Sequence, residues 1–328
     1  MSDGNGMGCF KYGCIGCASV LAIGIGLVFL VGALQVTSDR EPEPAQRRAE
    51  RALPPAPTPP AYSGTDGPDT VEVAPGDGFA AAPSPEATGT LVLDLAMGDF
   101  NIVPGPADQP LRVDADFDAG SFQLEEEFTS GDDGHWTYEV SFGSKGGFFG
   151  LMLGGGNNTH NEVTITVPRG HPIDIIGNIA MGESKVDLSG LWVREVHLEL
   201  KAGDHFVEFR EPLPFPMDRF EVKSSMGEVE IRGLGEASPE RVEVQHSMGE
   251  MFLDLQGAWR RDARVEADFS MGECRVWLPE GVHLDLAEAR VSMGEARTDR
   301  TVTDDLPEDA PTLTLAASGS MGSLRVER

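Results

Sequence analysis

Beyond residue 90, apolar and polar residues alternate with a period of two. Leu91, Leu93 and Leu95 fall on one side of the chain, as do Leu111, Val113, Ala115 and Phe117. That period predicts half-buried strands. Trp136 to Phe142 and Val163 to Val167 give two further strands, joined by a glycine-rich tip that carries Phe148, Phe149, Leu151 and Met152. If the tip projects, those four side chains form an apolar patch suited to a partner or to lipid. If it folds back, it caps the end of a stack.

From residue 171 a repeat governs the pattern. Met181, Met226, Met248, Met271, Met293 and Met321 precede Gly182, Gly227, Gly249, Gly272, Gly294 and Gly322, and four of these corners read Ser-Met-Gly-Glu. With Ala202-Gly203-Asp204 filling the one wide gap, the intervals are 21, 24, 22, 23, 22 and 28 residues. A period near 22 marks stacked turns. Before each methionine the inward positions are even, as in Phe220, Val222 and Ser224, or Val265, Ala267 and Phe269. After the glycine they are odd, as in Val229 and Ile231, or Cys274 and Val276. A change of phase at a fixed glycine predicts a corner, because glycine accepts the backbone angles a sharp bend needs. The even parity carries the methionines inward, so they are expected to fill the corner from inside. Met97-Gly98-Asp99 repeats the signature and predicts an irregular first rung.

The chain before residue 90 reads differently. Residues 1–11 form a short cysteine-bearing segment, and residues 12–38 hold no charged side chain. A bilayer core of roughly 30 Å needs about 20 helical residues, so a single transmembrane helix is expected there, with a cleaved signal peptide as the rival reading. Residues 39–89 hold runs such as Pro54-Pro55, Pro57 and Pro59-Pro60 and are expected to form a disordered linker. Arg40, Arg47, Arg48 and Arg51 would by the positive-inside rule place the C-terminal part in the cytoplasm. The signal-like N-terminus points the other way. The expectation is a single-pass protein of a bacterial inner or cytoplasmic membrane, with its large domain extracytoplasmic. Fold class is therefore all-β, a single β-solenoid of about 22-residue turns over residues 90–328, preceded by one helix and a linker.

Charge narrows the partners. With 54 acidic against 25 basic residues and a net charge of −29, binding to nucleic acid is opposed. Cys274 stands alone in the large domain, and Cys9, Cys14 and Cys17 crowd the head of the apolar segment as candidates for acylation, or for zinc if a dimer completed the ligand set.

The Ser-Met-Gly-Glu corners, the entry Val163-Thr164-Ile165-Thr166-Val167-Pro168-Arg169-Gly170 and the membrane-proximal placement resemble the bacterial "putative adhesin" or toastrack β-solenoid domains. These are relatives of the C-terminal domain of LiaF-like envelope-stress regulators. The resemblance covers about residues 90–328 and implies a solenoid fold and an adhesin-like or envelope-sensing role. LiaF-like proteins usually carry several membrane helices, where this chain has one apolar segment.

Among candidate sites, Glu183, Asp204, Glu228, Glu250, Glu273 and Glu295 follow the corner glycines. On successive strands about 4.8 Å apart, neighbours repel by roughly 0.9 kcal/mol in water before screening. Lys185, Arg275 and Arg297, two places on, are candidate counter-ions, and bound calcium is the alternative. Asp114, Asp116, Asp118 and Glu125 have calcium-loop spacing, but Ala119 stands where that loop needs glycine. The histidines 135, 160, 171, 197, 205, 246 and 283 form no zinc-protease pair, and no serine elbow occurs. A non-catalytic domain for cell-envelope polymers or protein partners is expected, with a self-assembling scaffold as alternative and a polysaccharide-active solenoid enzyme behind both.

Overall fold

A computed structural model describes residues 44–53, 89–131, 134–146, 161–298 and 306–328. The described fold is all-β, a single 14-stranded sheet with one short helix, Leu234–Ala237. No helix among the described residues is long and apolar enough to cross a membrane, and the apolar segment 12–38 lies outside them.

The sheet is a stack of parallel rungs. Strands β8 (Ile173–Asp187), β9 (Val193–Glu208), β10 (Arg219–Arg232), β11 (Arg241–Asp254), β12 (Ala263–Trp277), β13 (His283–Thr298) and β14 (Thr312–Glu327) each run through one corner. Glycine pairs with glycine across β9 to β12 and on to β14 and β13. β2 (Gly89–Leu95) and β3 (Gly98–Gly105) lie end to end along β8 as one interrupted rung. β6 (Trp136–Ser144) and β7 (Glu162–Pro168) form the next rung outward. The expected apolar tip, Phe148, Phe149, Leu151 and Met152, lies outside the described residues.

The N-terminal end is closed by antiparallel strands. β5 (Phe122–Ser130) pairs β6, β4 (Leu111–Asp118) pairs β7, and β1 (Pro44–Arg51) pairs β4. Phe142 sits at the centre of an aromatic plug, with Phe100, Phe117 and Phe122 at 6.0, 5.4 and 5.7 Å between ring centroids. The plug covers apolar surface that a bare terminal rung would expose.

β1 departs from the linker expected over 39–89. Its proline is the first residue of the strand, where a missing donor costs nothing, and the following charged residues suit an edge. Arg47 Nη1 donates to Leu124 O at 2.7 Å, Arg48 pairs with Asp114 at 2.5 Å and Arg51 stands 3.8 Å from Glu126. Three of the four arginines read as a membrane flank are thus engaged by the folded domain.

The inward positions fill a largely apolar core. Phe220, Val222, Val229 and Ile231 are fully buried in β10, and the phase of burial changes between Ser224 and Val229. Each corner glycine from Gly182 to Gly322 has positive φ. The glycines also stack on one another: a Cβ on Gly249 would lie 1.9 Å from Gly227 O, and one on Gly272 would lie 1.8 Å from Gly249 O. No other residue fits such a column.

One feature of the order is not sequential. β14 lies between β12 and β13, so the last rung in space is the penultimate one in sequence. Phe269 of β12 explains the choice. A Cβ on its partner Gly319 would lie 2.2 Å from the Phe269 ring, so only glycine leaves room there. The matching residue of β13 is Val291. Ser318 Oγ donating to Asp268 at 2.6 Å and Arg325 standing 3.4 Å from Glu273 add to the β12–β14 fit.

Candidate functional site

The corner edge carries the most regular chemistry on the molecule. Where the even parity placed the methionines inside, the structure puts them outside: Met181, Met226, Met248, Met271, Met293 and Met321 are 37 to 62 % exposed. The phase slip consumes two positions on the convex side. In β10, Ser225 and Met226 both face outward before Gly227 turns the chain, and only Val229 returns to the core. The extrapolated parity failed because a bend splays successive side chains to the same side.

Two places on, the acidic residues form a parallel column. Glu183, Asp204, Glu228, Glu250 and Glu295 are exposed and Glu273 half-buried. Asp99 extends the column beyond Glu183, and the inserted β14 puts Ser323 between Glu273 and Glu295. Those two glutamates, expected to be neighbours, are not. Arg275 pairs with Glu273 at 3.0 Å and Arg297 with Glu295 at 2.9 Å. The Arg275 hydrogen bond holds the Glu273 carboxyl below its ordinary range. Glu183, Asp204, Glu228 and Glu250 have no ion pair among the described residues. Nor do three or more His, Cys, Asp or Glu side chains among these residues come together as a metal cluster.

The calcium-loop mimic is spread over two strands. Asp114 pairs with Arg48 and Arg112, Asp116 accepts from Gln46 at 3.2 Å, and Asp118 is buried, accepting from Gly120 N. Glu125 lies on β5. An open depression between β1 and β4 is lined by Gln46, Arg48, Asp114 and Asp116, with Arg48 paired to Asp114 and Gln46 donating to Asp116.

The groups that could act as nucleophile or base lie inside. Ser184 Oγ and His205 Nδ1 are 2.9 Å apart in the core, and burial pushes the His205 imidazole down to about 4. Ser224 and His246 are buried in register on β10 and β11, and burial lowers His246 as well. Burial pushes the Cys274 thiol up to about 12, which leaves it inert at neutral pH. The Ser184–His205 pair went unread in the sequence; its signal is two polar residues at the same inward position of successive rungs.

The outward faces bear charged ladders. Arg219, Arg241 and Arg264 align, and beside them Glu221, Glu243 and Glu266. Glu221 is 2 % exposed, enclosed by Lys223 at 2.5 Å, Arg219 at 2.7 Å and His197 at 3.1 Å. Burial would raise its carboxyl, but the Lys223 hydrogen bond and the surrounding positive groups outweigh it and hold it low.

No protein-family model matches the chain, and no curated protein matches it. Among solved structures it is similar to a "putative cell adhesion protein" from Clostridium sporogenes, at 14 % identity and TM-score 0.38, covering 87 % of this chain and 99 % of that one. It is also similar to a "putative adhesin" from Bacteroides fragilis, at 10 % identity and TM-score 0.37, covering 87 % and 97 %. A third, from Parabacteroides merdae, stands at 7 % identity and TM-score 0.28, covering 86 % and 96 %.

Proposed function

We propose that this chain is a non-catalytic, membrane-anchored β-solenoid domain that displays flat charged faces to cell-envelope polymers or proteins, in the manner of an adhesin. One observation carries the reading. Side chains of one kind recur at the rung spacing on the outside, as in Arg219, Arg241 and Arg264, while Ser184, His205, Ser224, His246 and Cys274 are sealed inside. A lattice of equal charges about 4.8 Å apart suits a repeating or extended partner better than a small substrate. Residues 12–38 supply the anchor, with the domain outside the cytoplasm.

Protease digestion of intact cells carrying a C-terminal tag, followed by co-sedimentation of the purified full chain with isolated envelope material, tests this. Loss of the tag before the inner membrane is lysed, and binding weakened by Arg241→Ser with Arg264→Ser, are expected. A tag protected until lysis, or binding indifferent to those charges, would overturn it.

The scaffold reading has one observation in its favour: β13 ends the sheet with its outer edge unpaired among the described residues. Asp285, Glu288, Arg290, Glu295 and Arg297 on that strand oppose a second copy. A monodisperse monomer is expected, and concentration-dependent filaments would instead establish the scaffold.

A further inference from the structure

The exposed methionines form an unbroken ladder in the C-terminal half. Met226 is in register with Met248, Met248 with Met271, Met271 with Met321, and Met321 with Met293. Five thioethers thus follow one another at strand spacing, each on a side chain with three free torsions, so neighbouring sulfurs can converge on one point. Ala202 breaks the run on the Met181 side.

The surroundings favour an ion over an apolar partner. On four rungs the methionine is preceded by an exposed serine and followed, two places on, by glutamate; the Met321 rung has serine at both places. The apolar stripe is one residue wide, too narrow for a docking surface, which needs a broader patch. The acidic column beside it gives the edge a negative potential that draws cations. Leucine or valine would supply apolar contact equally well, but only sulfur distinguishes methionine as a ligand. Thioethers are soft, and they select monovalent copper or its analogue silver over calcium, magnesium or zinc. They carry no proton to displace.

We propose that the Met226–Met248–Met271–Met321–Met293 ladder binds a soft monovalent metal ion, copper(I) in kind, through adjacent thioethers, with the neighbouring carboxylates drawing the cation in.

The test uses the full chain with Cys9, Cys14 and Cys17 replaced by serine, so that N-terminal thiolates do not compete. Silver(I) is titrated and followed by isothermal calorimetry and by the carbon-13 shifts of the methionine methyl groups, and copper(I) is titrated anaerobically against a chelator. Saturable silver and copper binding is expected, with shifts confined to ladder methionines and absent from buried Met217 and Met251. In a second chain Met248→Leu, Met271→Leu and Met321→Leu keep volume and apolarity, so its melting temperature should be unchanged while affinity falls at least about tenfold. Absence of binding in the methionine chain, equal affinity in the leucine chain, or shifts at Met217 and Met251 would each overturn the proposal.

Discussion

Replacing Gly249 by alanine should be among the most damaging single-atom additions this protein can suffer. The residue has φ +128°, in a region that side chains rarely adopt, which costs about 1 to 3 kcal/mol by itself. The new Cβ would also lie 1.9 Å from Gly227 O and 2.9 Å from Gly227 C. Those are backbone atoms held by the rung ladder, so no rotamer change relieves the contact and one rung must shift against the next. A total of about 4 kcal/mol or more is expected, beyond the range of ordinary substitutions. Two other glycines separate the contributions. Gly281 has φ +76° with nothing within 4 Å, so Gly281→Ala reports backbone strain alone, about 1 kcal/mol. Gly143 has neither positive φ nor a close neighbour, so Gly143→Ala should stay within about 0.5 kcal/mol. Urea unfolding of the three variants of the full chain, followed by circular dichroism, ranks them. With a slope of about 3 kcal/mol/M, Gly249→Ala should move the midpoint down by about 1.3 M. If its cost matched that of Gly281→Ala, the glycine column would not be what fixes one rung on another.

Three further outcomes are expected. Gly319→Val drives a side chain into the Phe269 ring and should destabilise by about 2 to 4 kcal/mol, less in a Phe269→Leu background; additive costs would refute the fit that places β14 beside β12. The His205 imidazole is held near 4, so below pH 6.5 the unfolded chain binds the extra proton and stability falls with pH; about 2 kcal/mol should be lost between pH 7 and 5, and a urea titration of His205→Gln with an equal slope would refute this. Glu228 lies between Asp204 and Glu250, so Glu228→Gln should stabilise by about 0.5 to 1 kcal/mol at low salt and by nothing at high salt; calcium and magnesium should raise the melting temperature equally, and a calcium-specific rise would make the column a calcium site.

The strands and their spacing were legible because period-two burial repeats through every rung. Phe220, Val222, Val229 and Ile231 show both phases in a single strand. Less local features were not. The outward turn of Met226 depends on how the corner bends, and strand parity carries no information about that. The insertion of β14 was hidden because the Met-Gly register satisfies either order of the last three rungs; the choice rests on Phe269 and Gly319, fifty residues apart in sequence. β1 was obscured by its proline-rich surroundings, and its partners, Asp114 and Leu124, give no signal near it in sequence. The acidic column was visible as residues, but its interruption by Ser323 followed from the same hidden strand order.

The rungs themselves separate what the fold requires from what it merely carries. Glycine is required at each corner from Gly182 onward, since a Cβ there would meet the next glycine's carbonyl. Methionine is not: Ala202 occupies the same register position and β9 stacks as its neighbours do. Glutamate is not: Ser323 occupies its position between Glu273 and Glu295 without disturbing the ladder. Copying of an ancestral repeat does not account for the recurrence either, because inward positions have drifted, with Leu198, Val222, Val244 and Ala267 facing one another along the core. Exposed side chains are under weaker packing constraint than buried ones and should have drifted further. The fold itself therefore does not demand the recurrence of solvent-facing Met and Glu along the corner edge, which is where the proposed thioether site lies.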